Sequence, residues 1–197
     1  MQTELLFPFI TYAIVTTITP GPNNITSTSA GGKLGYLGSL PYLAGITTGF
    51  YLTLLLAGLL TGQLLTIYND LLPYLKWIGF SYMFWLAIAP FYLYMQRHTN
   101  LNANQFTFLS GLLLQLVNVK GILYAITIYS AFNPLIGIST TTVLASSLFL
   151  GFIGFCCVSL WTVFGTLLSK KLEKDAFYLV FNFIMSVLLL YAAVKIL

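Results

Sequence analysis

Six stretches of the chain are apolar and long enough to cross a lipid bilayer, which limits the possible folds more than any other feature. They are residues 5–27, 40–60, 71–94, 106–132, 142–168 and 176–194. A hydrocarbon core of ~30 Å requires about 20 apolar residues in a helix. Backbone N–H and C=O groups find no water there, so a span of this length must bond within itself as a helix. The sequence therefore predicts an all-α membrane protein with six transmembrane helices.

Composition supports this class. Of the residues, 58% are hydrophobic and only 6% are charged, against roughly a quarter charged in soluble domains. Little sequence lies outside the six stretches, so we expect one integral membrane domain over residues 1–197. The early charge is Glu4, where a cleaved signal peptide would carry Lys or Arg, so we expect the first segment to be retained. The net charge of +4 lies mostly in short loops, which indicates the lipid bilayer and no nucleic acid as partner.

The basic residues predict the orientation. Six spans place both termini on one side, and placing them outside leaves loops 28–39, 95–105 and 169–175 inside. These loops contain Lys33, Arg97, Lys170, Lys171 and Lys174, whereas Lys76 and Lys195 lie outside. Cytoplasmic loops are enriched in Lys and Arg. The distribution therefore predicts that both termini are outside.

The chain divides into two halves of three segments each. The most polar stretch between segments is 96–105, QRHTNLNANQ, at the midpoint. Because three is odd, the second half enters the membrane in the opposite sense to the first. This is the arrangement of an inverted-topology repeat, which is common among secondary transporters. We place the halves at about 1–98 and 99–197.

The first segment contains residues 19–24, TPGPNN. Two prolines around a glycine remove N–H donors and clash with the preceding turn, so the helix is expected to unwind there. Pro22 suits the first turn of a restarted helix. The restarted N-terminus presents free N–H groups and partial positive charge, which suit an anion. The first helix of each half is predicted to be interrupted, with Asn118 in the fourth segment mirroring Asn23 and Asn24.

Lys120 lies within the apolar stretch 106–132. A charge near the bilayer centre costs from ~2.5 to more than ~10 kcal/mol, and both ends of the stretch are too distant for snorkelling. A lysine ammonium only donates, so its partner should be an anion. Together with Asn118, Asn23 and Asn24 it would form a polar site suited to a small zwitterion.

The residues that a metal carrier or an intramembrane enzyme would need are missing from the six segments. The segment interiors contain no Asp, Glu or His, and His98 lies in the central loop. Cys156 and Cys157 are adjacent, so they make no disulfide framework and are expected to be small buried apolar residues. We therefore predict no catalytic residues, no metal site, no cofactor and no enzymatic activity.

Two motifs resemble those of a known family. Residues 19–25, TPGPNNI, are similar to the signature of the LysE-type amino-acid exporters, also called the RhtB group. Residues 114–124, LQLVNVKGILY, resemble the fourth-segment motif of that family. Most members have N-P-K where this chain has Asn118-Val119-Lys120, and the N-V-K form resembles the branch that exports cysteine and O-acetylserine. Gly45-x-x-x-Gly49 and Trp77-x-Gly79-x-x-Tyr82 fit as well. Without proline at Val119, the fourth segment has less reason to break.

The resemblance implies a bacterial inner-membrane exporter of amino acids or close derivatives. In that membrane, the distribution of Lys and Arg predicts that both termini are periplasmic. Its substrate would be neutral, like cysteine or O-acetylserine, and it would move by alternating access. The expected substrate-binding residues are Lys120, Asn118, Asn23, Asn24, Gly21, Pro20, Pro22 and Tyr124. The alternative is a carrier for another small anionic or zwitterionic solute or an inorganic ion. Pairing as a homodimer and coupling to protons, to substrate ionisation or to nothing are left open.

Overall fold

A computed structural model describes residues 2–61, 105–137 and 139–172, with isolated positions between 74 and 88 and between 179 and 194. The part of the chain that it describes contains helices and no strand. The helices are α1 (Gln2–Ile18), α2 (Pro22–Leu59), α3 (Phe108–Leu116), α4 (Val119–Ala131), α5 (Asn133–Ile136) and α6 (Thr140–Leu172). Most of the predicted segments 71–94 and 176–194, and nearly all of loop 95–105, lie outside the described residues.

Two of these helices, α2 and α6, are long and apolar enough to cross a membrane. The pair α3 and α4 makes a third span if it is counted as one bent helix. Helix α1 is apolar but shorter. Within the described residues, the prediction of an α-helical membrane protein is confirmed, with two or three of the six predicted spans present as helices long enough to cross.

The first predicted interruption is present. Helix α1 ends at Ile18 and α2 begins at Pro22, with Gly21 in extended conformation at φ −158° and ψ 179°. The cause lies in the prolines, because neither can donate the N–H that a continuous helix needs. Pro22 takes the first turn of the new helix, where a missing N–H costs nothing.

The predicted loop 28–39 is mostly helical, since these residues belong to α2, and the expected connection between the first two segments is confined to Gly35. Hydroxyl-rich sequence is typical of loops, but here the hydroxyls bond back within the helix. Thr26 donates to the Pro22 carbonyl at 2.8 Å, and Thr28 donates to the Asn24 carbonyl at 2.9 Å. Such bonds leave the helical backbone intact. The helical path is interrupted only at Gly35, which has φ 68° and ψ 176°, a backbone conformation that favours glycine.

The chain reverses direction at Gly35. Ala30 and Leu43 pack in one buried cluster with Val158 of α6. In a straight helix these two residues would lie about 20 Å apart, at ~1.5 Å per residue. The parts of α2 before and after Gly35 therefore lie side by side on α6.

Helices α2 and α6 touch through their backbones. A Cβ atom on Gly31 would collide with the Thr162 carbonyl, and one on Gly165 would collide with the Thr28 carbonyl. Thr166 also donates to the Gly31 carbonyl at 3.2 Å. Glycines at helix contacts allow this approach in a membrane, where close packing replaces the hydrophobic effect.

The motif Gly45-x-x-x-Gly49 lies against α3, as is typical of glycines at this spacing in membrane helices. A Cβ atom on Gly45 would collide with the Phe108 carbonyl, and one on Gly49 would lie 2.9 Å from the Gln115 Cβ atom. The motif therefore forms a close helix contact. It also fixes the position of Gln115 against α2.

A second interruption separates α3 from α4, whose axes are bent by 60°. The predicted interruption of the fourth segment is therefore present, although Val119 is not a proline. Asn118 breaks the helix instead, with φ −74° and ψ 95°, and its side chain accepts the Gly121 N–H at 3.4 Å. Asparagine is a favoured N-cap because its side chain replaces a missing helical acceptor.

The two cysteines differ in exposure. Cys157 is buried, whereas Cys156 is exposed on α6. Neighbouring helical residues point about 100° apart, and here only Cys157 faces the interior of the protein. The expectation that both are buried is wrong for Cys156.

Candidate functional site

The two helix interruptions meet at a cavity of about 50 Å³. Every predicted binding residue except Pro20 lines it, namely Gly21, Pro22, Asn23, Asn24, Asn118, Lys120 and Tyr124. A water needs roughly 10–15 Å³ of such space, so the cavity has room for only a few waters or a small solute. Sequence analysis missed other lining residues, among them Thr16, Thr17, Thr47, Gln115 and the apolar Ile46, Phe50 and Val158.

Asn24 completes the end of α1. Its side-chain amide donates to the carbonyls of Thr17 at 2.9 Å, Ile18 at 3.3 Å and Thr19 at 2.9 Å. These carbonyls lost their helical partners when the chain unwound at Pro20. In a membrane such groups must be satisfied by the protein or by water in a cavity. The Asn24 amide nitrogen is therefore occupied by the backbone, and its oxygen is the group left for a solute.

Trp161 of α6 also bonds to this interruption, which the sequence analysis did not foresee. Its indole N–H donates to the Ile18 carbonyl at 3.2 Å. A buried or half-buried Trp usually finds such an acceptor. Ile18 and Trp161 are 143 residues apart in the sequence, so no local pattern predicts that they touch.

Lys120 reaches across from α4 to the same interruption. Its ammonium donates to the Thr19 carbonyl at 2.7 Å. A Cβ atom on Gly21 would lie 3.0 Å from Lys120 Cδ and 3.2 Å from Nζ, so the glycine makes room for the lysine. An ammonium has three donors, and this is its one hydrogen bond within the described residues. Two N–H groups are left for an anionic ligand at the cavity.

Three side-chain amides join the two interruptions. Asn23 donates to Gln115 Oε1 at 2.5 Å, and Asn118 donates to Asn23 Oδ1 at 3.0 Å. Asn118 also donates to Gln115 Oε1 at 3.4 Å. Gln115 is fully buried. Sequence reasoning did not select it, although Gln115 and Asn118 are three residues apart, a spacing that places side chains on one helix face.

Aromatic rings close another side of the cavity. Tyr124 is buried and stacks on Tyr12, with ring centroids 5.7 Å apart and planes at 9°. Phe50 packs on it at a centroid distance of 5.5 Å. The Tyr124 hydroxyl is buried and has no hydrogen-bond partner among the described residues. The cavity thus has an apolar wall facing a polar one.

The chemistry of the lining is that of an anion or zwitterion site. It combines one ammonium, several amides and threonine hydroxyls. Throughout residues 2–61, 105–137 and 139–172, and at the isolated positions, no group of three or more His, Cys, Asp or Glu could hold a metal ion. The arrangement can donate several hydrogen bonds to a carboxylate and accept from an ammonium through amide and carbonyl oxygens.

Comparison with known proteins agrees with the two motifs. Residues 14–197 match the family described as LysE type translocator. The cysteine/O-acetylserine efflux protein of Escherichia coli O139:H28 (strain E24377A / ETEC) is 33% identical over 200 residues, covering 100% of this chain and 99% of the relative. The protein of the same name from Klebsiella pneumoniae subsp. pneumoniae is 35% identical over 202 residues, covering 100% of this chain and 98% of the relative. No solved structure matches. The chain belongs to the LysE type translocator family.

Proposed function

We propose that this protein exports small neutral amino acids or their close derivatives across the bacterial inner membrane. The observation that carries the proposal is the cavity at the two helix interruptions, where the Lys120 ammonium lies among side-chain amides. Family membership and relatives named as cysteine/O-acetylserine efflux proteins support it. The small cavity favours substrates of that size over large amino acids.

Each part of the site has a role in this proposal. The substrate carboxylate binds the Lys120 ammonium beside the first turn of α2, where free N–H groups and partial positive charge favour an anion. Asn118 and Asn23 orient the substrate, and the Asn24 oxygen accepts from its ammonium. Pro20 and Pro22 keep the helix unwound at Gly21. Tyr124 forms the apolar wall.

We also propose six spans as an inverted 3+3 repeat that moves by alternating access. Support comes from interruptions in the first and fourth predicted segments and from the amides that join them. Ser186, in the sixth predicted segment, donates to the Ala87 carbonyl in the third at 2.5 Å. Equivalent segments of the two halves thus contact each other. Rocking of one half against the other around a central site is the usual mechanism of such repeats.

The proposed topology places both termini in the periplasm and Gln105 in the cytoplasm. The Lys33 ammonium lies 5.6 Å from the centre of the Phe106 ring, so one predicted inner loop contacts the start of the fourth predicted segment, which supports this orientation. A reporter enzyme that is active only in the periplasm should be inactive when fused at Gln105 and active after Leu197. The reverse pattern would contradict the orientation.

Export itself is tested in proteoliposomes. Vesicles containing the purified protein and loaded with unlabelled O-acetylserine should accumulate labelled O-acetylserine from outside by exchange. Empty vesicles give the background, and a series of amino acids and inorganic anions as competitors defines the substrate class. Repeating the assay with and without a pH gradient distinguishes proton coupling from simple exchange. Exchange of an inorganic anion without exchange of any amino acid would favour the alternative function.

A further inference from the structure

The Gln115 side chain has a donor with no partner. The residue is fully buried and lines the cavity, yet its Nε2 atom makes no hydrogen bond to any described residue. Buried donors in proteins are nearly always paired. An unpaired donor at the wall of a cavity is therefore a position at which a ligand group can bind.

The direction of this amide follows from its neighbours. The backbone N–H of Gly121 donates to Asn118, which identifies the accepting atom as Oδ1 and leaves the Asn118 nitrogen as donor. That nitrogen donates to Asn23 Oδ1, so the Asn23 nitrogen must donate to Gln115. Gln115 therefore presents its oxygen to both asparagines. Turning the amide over would place three donors together, so Nε2 is the atom left unpaired.

Two further observations concern the same place. A Cβ atom on Gly121 would collide with Gln115 Nε2, so the glycine keeps space for this donor. Thr47 and Tyr124 also line the cavity, and their hydroxyls likewise lack a hydrogen-bond partner among the described residues. The Lys120 ammonium is held against Gly21 and Thr19, whereas Gln115 Nε2 lies against Gly121, so the two donors contact different parts of the lining.

We propose that Gln115 Nε2 determines substrate specificity by donating to an acceptor in the substrate side chain. This inference rests on the proposed function, in which Lys120 takes the carboxylate. The substrates selected would be small amino acids whose side chain carries a hydroxyl, ester carbonyl or thiol sulfur. Apolar analogues of the same length are rejected, because they would leave the buried donor unpaired in the closed site.

The test measures selectivity by competition against labelled O-acetyl-L-serine in the exchange assay. The competitors are unlabelled O-acetyl-L-serine and L-norleucine, which has a side chain of similar length without an acceptor. Gln115→Glu keeps an oxygen for Asn23 and Asn118 and replaces the donor with an acceptor. Gln115→Met removes both groups at similar volume. Gly151→Ala is the control, because its new Cβ atom would lie 3.8 Å or more from Tyr51, an ordinary contact.

The wild type and Gly151→Ala should prefer O-acetylserine by at least ~100-fold, and both Gln115 variants should lose most of that ratio. Equal selectivity in the wild type and Gln115→Met would overturn the role of Gln115 while leaving export established. Absence of exchange and of substrate-induced thermal stabilisation in the wild type would instead overturn the proposed function. If the variants exchange too slowly, the same ratio is read from thermal stabilisation by each compound, and an unchanged ratio there rejects the inference equally.

Discussion

Lys120→Met abolishes export while the protein remains folded. Methionine keeps much of the side-chain volume but has no charge, so the substrate carboxylate loses its ionic partner. Losing one member of a buried, hydrogen-bonded charge pair costs about 2–5 kcal/mol, which corresponds to at least a ~30-fold loss in binding. Exchange in proteoliposomes, at matched amounts of protein, measures the loss.

The structure sharpens a rival account, in which Lys120 is an anchor for the interrupted helix. Its hydrogen bond to the Thr19 carbonyl is the contact that this account requires. The Thr19 carbonyl also accepts from Asn24 at 2.9 Å, so it keeps a partner after Lys120→Met. We therefore expect the substrate-free variant to be about as stable as the wild type, because relieving a buried charge offsets the lost bond.

Thermal unfolding with and without O-acetylserine separates the two accounts. If Lys120 binds substrate, Lys120→Met unfolds near the wild-type temperature and gains nothing from added substrate. If Lys120 is only an anchor, the variant unfolds earlier but substrate still stabilises it. Lys120→Arg keeps the charge in a larger planar group, so it should export poorly. Lys120→Arg therefore tests whether a positive charge at this position is sufficient for export.

The interruption in the first segment could be predicted because its cause is local. Pro20 and Pro22 lack the N–H that a helix requires, wherever the chain lies. The interruption at Asn118 was harder, since an asparagine within an apolar segment can either cap a helix or face a partner. Its position was predicted only from the inverted repeat, in which Asn118 mirrors Asn23 and Asn24.

The partners within the site could not be predicted for a different reason. Asn23 and Asn24 are adjacent and chemically identical, but about 100° of helical rotation separates them. One faces Gln115 on another helix, and the other faces the end of α1. Only the packing of the helices assigns these roles, and the same is true of Trp161 and Gln115. The helix over residues 28–34 was not predicted, because hydroxyl-rich sequence is typical of loops. Here the hydroxyls donate to carbonyls of the preceding helical turn, as Thr28 does to Asn24, and composition does not predict such bonds.

Gly165→Ala should destabilise the protein strongly, although the residue lies outside the cavity. The new Cβ atom would lie far inside van der Waals contact with the Thr28 carbonyl oxygen. A backbone carbonyl cannot rotate away as a side chain can, so α2 and α6 must separate. Overpacking typically costs ~1–3 kcal/mol, and we expect the upper end of that range. Thermal unfolding in detergent measures it, with Gly151→Ala in the same helix as the control that should change stability little.

Gly31→Ala tests the same contact from the other helix, since its Cβ atom would collide with the Thr162 carbonyl. Both substitutions are expected to force α2 and α6 apart. Once one of them has separated the helices, the Cβ atom of the other meets less of a collision. The double variant should then be destabilised by less than the sum of the two single variants, as expected for coupled neighbouring sites. Strict additivity would mean that each glycine is accommodated locally. In that case the backbone contact between α2 and α6 is not one rigid interface, and these helices need not move together during transport.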